Sequence, residues 1–380
     1  MTAVDSDEHR LMRETVRKFA TDDVAPNAAE IDRQERFPRE SWERAAELGL
    51  LGIRAPEQFG GSGLGLAETC IVAEELAAVC MATSVTVLHQ SNLVVDRIVD
   101  HGTVEQQAKF LPGLCDGSVI GCLAITEPEA GSDAMSMRTR ASRVDGGWVL
   151  NGTKTFITNG PVADLALVYA KTGPADGREI SLFAVDTTSP GFQRGRKLEK
   201  LGWRGSPTGE LILTDCFVAD DAVLGEVGLG VQVLRGGLAS ERVVMGAQGV
   251  GLAAGALREA ARYATERHQF GRRIGDFQLI QAKLADIYVG VELGRALVAR
   301  TSSAIDAGDT REMTIQASAC KLHGSELAMN ATIEALQIFG GYGYTTEFPI
   351  ERYLRDAKIM QIGGGTSEIQ RVIIGKELLR

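Results

Sequence analysis

The chain has 380 residues, 44% of them apolar and 24% charged, and 40 basic against 50 acidic side chains leave a net charge of −10. That length gives room for two or three domains and a large core, and an acidic balance with no basic patch speaks against nucleic-acid binding. The first ten residues are polar and charged, unlike a signal peptide, and no apolar run approaches the ~20 residues that a membrane span needs.

Residues 1–120 read as helical. Leu11, Thr15, Lys18 and Phe19 begin an amphipathic segment. Ser41 to Leu51 reads as a second helix with Ser41 as its N-cap. The glycines of Pro56 to Gly63 mark a loop, and Ala67 to Val79 follows as a third helix. Residues 121–230 turn β-like. Asp145-Gly146 and Asn151-Gly152 are turn dipeptides that bracket a short Trp148–Leu150 strand. Leu165 to Ala170, Ile180 to Val185 and Glu210 to Val218 read as further strands.

Helical spacing returns over 231–380. Ile280, Leu284, Ile287, Val291 and Val298 share one stripe. Gly308 marks the end of that helix. Met313, Ala317, Cys320, Leu327 and Ala331 continue the pattern on the next. Gly249, Gly251 and Gly255 loosely suggest a dinucleotide loop, but their spacing is wrong and no strand precedes them; they read as close helix packing. Six scattered cysteines (Cys70, Cys80, Cys115, Cys122, Cys216, Cys320) contain no Cys-x-x-Cys and read as reduced, mostly buried thiols of a cytoplasmic protein. The five histidines show no ligand spacing, so no metal is expected.

Five motifs remain: Thr126-Glu-Pro-Glu-Ala-Gly-Ser-Asp133, Lys154-Thr-Phe-Ile-Thr-Asn-Gly160, Arg267-His-Gln-Phe-Gly271, Gln337-Ile-Phe-Gly-Gly-Tyr-Gly343 and Gly363-Gly-Gly-Thr-Ser-Glu-Ile-Gln-Arg371. In this order they resemble the flavin-dependent acyl-CoA dehydrogenases over nearly the whole chain. The resemblance implies an α+β multidomain fold: an N-terminal helical domain (1–120), a β-barrel-like middle domain (121–230) and a C-terminal four-helix bundle (231–380). It also implies bound FAD, a homotetramer, electron-transferring flavoprotein as acceptor, and a place in fatty acid or branched-chain amino acid catabolism.

An isoalloxazine needs a flat slot, donors to its ring edge and one open face. The resemblance gives Thr126 and Thr158 as those donors, Phe156 as the aromatic packed near the ring, and Ser132 as a residue near the diphosphate and the thioester end. Arg267 and Phe270, in Arg-His-Gln-Phe-Gly, resemble the motif that reaches FAD diphosphate from a neighbouring subunit; a planar guanidinium fork suits that group. Gln337 and Gly341 resemble a second such contact, and Thr366 and Glu368 follow the C-terminal turn. The plainer readings are a surface salt bridge for Arg267 and helix capping for Thr366.

In most of the family a glutamate stands just before the C-terminal Gly-Thr and is the catalytic base. Here that position is Gly364. The isovaleryl-CoA and long-chain branches carry the base where this chain has Glu241. Glycine at 364 keeps the backbone N–H that, in the family, holds the thioester oxygen, while burial would raise the pKa of Glu241 and suit it to proton abstraction. The bland alternative for Glu241 is a residue at a helix N-terminus that satisfies the dipole. Arg242 resembles the family arginine that supports the site or meets the pantetheine. Gly363 and Gly364 leave room beside Cα and Cβ for a methyl branch. Leu88 to Val95 is the expected wall of the acyl pocket; its polar His89, Gln90, Ser91 and Asn92 either cap a helix or meet a polar acyl group. Lys197 to Arg204 resembles a segment near the CoA and acceptor surface, or is simply a solvated basic face.

Ala239 replaces an acidic residue that often meets the pantetheine arm, so an acyl group delivered on a carrier protein is an alternative substrate. A flavin oxidase or monooxygenase on the same fold is a further alternative, and a non-catalytic FAD-binding scaffold is the reading from another class. The leading expectation is FAD-dependent α,β-dehydrogenation of a short or branched acyl-CoA to the trans-2-enoyl-CoA, with Glu241 as base.

Overall fold

The computed structural model describes residues 6–174, 177, 179–309 and 312–380, so the start of the polar N-terminal segment lies outside the described residues. The first part is helical: α1 (Asp7–Phe19), α2 (Ala28–Gln34), α3 (Arg39–Glu47), α4 (Leu66–Ala77), α5 (Met81–Leu88), α6 (Asp96–His101) and α7 (Val104–Cys115). Between α5 and α6 the chain runs through a π-helical stretch, His89–Val95. The helix expected to start at Ser41 begins earlier, behind Pro38, and Ser41 is buried inside it at 1% exposure. Proline fixes φ and lacks a donor, which suits the residue that opens a helix and leaves Ser41 inside the first turn.

Eight strands follow: β1 (Gly121–Ala124), β2 (Arg140–Val144), β3 (Gly147–Thr158), β4 (Leu165–Lys171), β5 (Ile180–Asp186), β6 (Phe192–Lys197), β7 (Thr208–Ala219) and β8 (Val223–Leu224). They form one sheet along the path β6-β7-β3-β2-β4-β5-β8, with β1 added parallel to β4. The path has two ends, β6 and β8, so the barrel-like expectation becomes an open sheet joined at β2–β4 by a single residue pair, Arg140 with Lys171. Asp145-Gly146 makes the β2–β3 hairpin as expected. Asn151-Gly152 does not turn: β3 continues through it with a register shift against β7. Gly152 has φ +155°, and a Cβ there would lie 2.3 Å from Thr139 Oγ1, so the glycine serves a bulge where the backbone crosses close to its neighbour.

The last part holds α8 (Gly230–Glu266), a short hairpin of β9 (His268–Gln269) and β10 (Arg272–Arg273), then α9 (Gln278–Asp306), α10 (Met313–Phe339), α11 (Ile350–Met360) and α12 (Ser367–Leu378). α8, α9 and α10 pack on one another, and α11 and α12 close against α10. The glycines of α8 do pack helices, as expected. A Cβ on Gly249 would sit 2.3 Å from Gly324 O of α10, and one on Gly251 or Gly255 would sit 2.2 Å from a carbonyl of Glu74 or Ala78. One core joins the N-terminal helices to Ala239, Val243, Val244 and Ala247 of α8. A second lies between α6, α7 and one face of the sheet. α8 is therefore fixed on both sides, and it carries the central residue of the site.

Candidate active site

Glu241 stands eleven residues into α8, not at its start. The dipole explanation for this residue therefore fails, because that effect fades within the first turn. Its side chain is half-buried and accepts no hydrogen bond from the described residues. Burial raises its pKa, against the opposing pull of Arg97, Arg242 and Lys321. A carboxylate so placed holds its proton more readily than a solvated one and is unpaired when ionised.

The C-terminal turn comes to meet it. Gly364 has φ +62° and Gly365 φ +86°, conformations that disfavour side chains. Gln370 Nε2 donates to Gly364 O at 3.2 Å and to Gly365 O at 3.0 Å, which holds the turn in place. A Cβ built on Gly364 would come 3.4 Å from Glu241 Oε1 and 2.3 Å from Met245 Sδ. The carboxylate of α8 thus reaches the space into which a side chain at 364 would project, and the Met245 thioether fills the rest. The N–H of Gly364 donates to no atom among the described residues. Gly363 lies beside it, half-buried. Arg242 is also half-buried; burial lowers its pKa, and its Nε has no partner among the described residues.

Thr126 follows β1 and Phe156 lies on β3, and the backbone stitches the two segments together: Thr155 N donates to Thr126 O at 2.9 Å. β3 shifts register against β7 between Lys154 and Ile157, Phe156 takes φ +59°, and its ring is 67% exposed. Thr126 and Thr158 are half-buried close by in the chain, and Ser132 is exposed in the following loop. An exposed flat ring held by a bulge, with two threonine hydroxyls on the joined strands, fits one edge of a flavin. Beneath it lies a clamp that the sequence did not announce. Lys154 Nζ donates to Glu127 Oε1 at 2.8 Å and to Ile125 O at 3.0 Å. Glu127 also accepts from the N–H of Arg138 at 2.5 Å and of Thr139 at 3.0 Å. Burial lowers the pKa of Lys154 to about 8 despite Glu127. Burial would raise that of Glu127, but Lys154 and the two amides outweigh it and hold it below its ordinary value.

The remaining expected cofactor residues form a separate surface. Arg267 ends α8 with its guanidinium 5.4 Å from the Tyr342 ring, beside Gly341, so the salt-bridge reading of it is replaced by a cation–π contact. Phe270 is 93% exposed, and Gln337 and Gly341 are exposed as well. Thr366 Oγ1 accepts from Ile369 N at 3.3 Å and caps α12, as the plainer reading had it, and Glu368 is exposed in the first turn. His89, Gln90, Ser91 and Asn92 turn inward to protein atoms. Gln90 Nε2 donates to Leu114 O at 2.9 Å, Ser91 Oγ accepts from Ile53 N at 3.3 Å, and Asn92 donates to Asp96 at 3.0 Å. They bind the wall together and do not face an acyl group. The Lys197–Arg204 segment is likewise tied down: Trp203 N donates to Asp356 Oδ1 at 2.6 Å and Lys200 Nζ to Ser206 O at 3.0 Å. Among the described residues no cluster of side chains could hold a metal ion, and no helix is long and apolar enough to cross a membrane.

The acyl-CoA dehydrogenase N-terminal, middle and C-terminal domain models match residues 6–118, 122–216 and 228–379. The 2-methylacyl-CoA dehydrogenase of Solanum tuberosum mitochondria is 44% identical over 98% of this chain and 91% of its own. The chain belongs to the acyl-CoA dehydrogenase family. A mitochondrial isovaleryl-CoA dehydrogenase of Oryza sativa is 42% identical over 98% of this chain and 92% of its own. Among solved structures, butyryl-CoA dehydrogenase from Megasphaera elsdenii superposes with a TM-score of 0.95 at 36% identity, covering 99% of both chains. Like its family, this acyl-CoA dehydrogenase is an FAD-dependent oxidoreductase, and the Thr126–Phe156–Thr158 edge described above fits that cofactor.

Proposed function

We propose that this acyl-CoA dehydrogenase removes the α-proton of a short or branched acyl-CoA with Glu241 and yields the trans-2-enoyl-CoA. The observation that carries the reading is the 3.4 Å approach of Glu241 Oε1 to the position a Gly364 side chain would take. The chemistry that bound FAD would supply is a hydride acceptor for the β-hydrogen. The residues proposed to hold it are Thr126, Ser132, Phe156, Thr158, Thr366 and Glu368 of one subunit, with Arg267, Phe270, Gln337 and Gly341 of a neighbour.

The chain's own groups do the rest. The free Gly364 N–H donates to the thioester oxygen as negative charge develops there, which acidifies the α-carbon. Glu241 then accepts the α-proton; a raised pKa makes it the stronger acceptor once ionised. Ser132 and Arg242 flank the thioester and pantetheine. Gly363 and Gly364 leave the α and β carbons uncrowded, which suits a methyl branch. We further assign the acceptor role to electron-transferring flavoprotein and place the three working units at 1–120, 121–230 and 231–380.

Anaerobic titration of the FAD-loaded protein tests this. Isovaleryl-CoA or a straight-chain ester should bleach the visible flavin band in wild type, and Glu241→Gln should abolish the bleaching. Bleaching by acyl groups on a carrier protein, with none by any CoA ester, would move the substrate to the carrier-bound class. No bleaching by either would leave the non-catalytic scaffold.

A further inference from the structure

Lys321 is a cation that the fold buries and leaves unmatched. It belongs to α10, is 0% exposed, and its Nζ has no hydrogen-bond partner among the described residues. The acidic side chains of α10 and α12 do not neutralise it by contact. Glu326, on the same helix, lies 3.6 Å from Arg371 of α12, and Glu368 is exposed in the first turn of α12. Burying an unmatched ammonium is strongly unfavourable, and burial pushes the pKa of Lys321 down to about 8 against the pull of Glu241, Glu326 and Glu368. A methionine would fill nearly the same space without that cost, so it is the charge that needs a role.

The helices carry that charge towards Glu241. A Cβ on Gly246 would lie 2.7 Å from Cys320 O and one on Gly249 2.3 Å from Gly324 O, so α8 and α10 advance together in the same direction. Counted back along both, Glu241 stands level with the residues just before Ala317, about a turn and a half short of Lys321. Long side chains on a helix lean towards its N-terminus, so the Lys321 stem brings the ammonium back over much of that gap. Each charge acts on the other: Glu241 is the foremost of the anions that raise the pKa of Lys321, and Lys321 is one of three cations that pull on Glu241. The other two are Arg97 of α6 and Arg242 of α8, and the field of Glu241 also reaches Tyr169 of β4. At 0% exposure Lys321 meets no ligand, so it acts on the reaction only through Glu241.

We propose that Lys321 is a positioning residue for the base: its unbonded ammonium keeps Glu241 ionised near neutral pH and leaves both carboxylate oxygens free for the α-proton. This rests on the reading of Glu241 as the base. Lys154 shows the other arrangement, in which an ammonium 2.8 Å from Glu127 fixes the carboxylate and occupies an oxygen that would take a proton. A cation held at a distance supplies the field without the bond. Burial alone would keep Glu241 protonated over a wider pH range and out of use as a base, and Lys321 opposes that. Once Glu241 has taken the α-proton the attraction is gone and the ammonium is left unpaired, which favours return of the proton to water after the product leaves.

The test is the pH dependence of kcat/KM for the full-length, FAD-loaded protein with isovaleryl-CoA and butyryl-CoA. In Lys321→Met the rising acid limb should move to higher pH, at a cost of roughly 10-fold below the limb, and the variant should converge with wild type on the alkaline plateau. Lys321→Arg keeps the charge and should stay close to wild type. Lys321→Gln, polar and uncharged, should follow Lys321→Met, which separates charge from fit. Infrared titration of the ligand-free protein supplies a reading independent of turnover: the protonated-carboxyl band that Glu241→Gln removes should titrate at higher pH in Lys321→Met than in wild type. A limb and a band that Lys321→Met leaves unmoved overturn this proposal and leave the dehydrogenase reading standing. So does a loss by the same factor at every pH, which would make Lys321 a packing residue only. If no acyl thioester bleaches the wild-type flavin, both readings fall.

Discussion

Glu127 and Glu241 are both sheltered glutamates, and their surroundings have made opposite residues of them. Glu127 accepts from an ammonium and two amides, and its pKa falls. Glu241 has three cations in its field and no hydrogen bond from any of them, and its pKa rises. Burial dominates at Glu241, whereas at Glu127 the charge of Lys154 and the direct hydrogen bonds together outweigh it and fix the ionised form.

Glu241→Gln should break the comparison on the reactive side, with a loss in kcat on the order of 10²–10⁴-fold and no loss of bound FAD. In wild type, kcat/KM should climb with pH through the raised pKa of Glu241, because only the carboxylate can take a proton. That limb should vanish in the variant, as a pH–rate profile will show. Glu127→Gln should act on the other side. It strands a buried Lys154 and should cost about 3–5 kcal/mol of stability by denaturant titration, with FAD retention falling in step.

Gly364→Ala asks whether the space beside Glu241 is as tight as it looks. The left-handed backbone and the clash with Met245 should together cost about 1–3 kcal/mol, read as slower turnover and a lower melting temperature. Met245→Ala in the same chain should recover the steric part. The smallest effect belongs to Thr366→Ala, about 1 kcal/mol of stability through the lost cap of α12. A loss of FAD much larger than that would show the hydroxyl contacting the cofactor as well.

The sequence exposed the Glu241–Gly364 pairing because two motifs with known partners disagreed in a complementary way, and the helical stripes were legible because their periods are long. The Glu127–Lys154 clamp stayed hidden. The two residues sit in separate motifs, and only the sheet brings them into a dry contact. Asn151-Gly152 misled because the same dipeptide serves a hairpin or a bulge, and the pairing partner across the strand decides which. The position of Glu241 within α8 was misjudged because nothing around Gly230 marks a helix start: its N-cap, Leu229, makes no side-chain cap bond.

The glycine contacts between α8 and α10 have a consequence for the chemistry. Just beyond Glu241, Gly246 lies against the backbone of Cys320 and Gly324, where added Cβ atoms would come within 2.5–2.7 Å of carbonyl oxygens. The two helices are thus held apart by main chain alone, a spacing that no rotamer change can adjust. They act as a ruler that sets the reach of the carboxylate towards Gly364. An alanine at 246 would lengthen that ruler by a fraction of an ångström, and a displacement near 1 Å at a reacting centre is enough to cost about 10²-fold in rate.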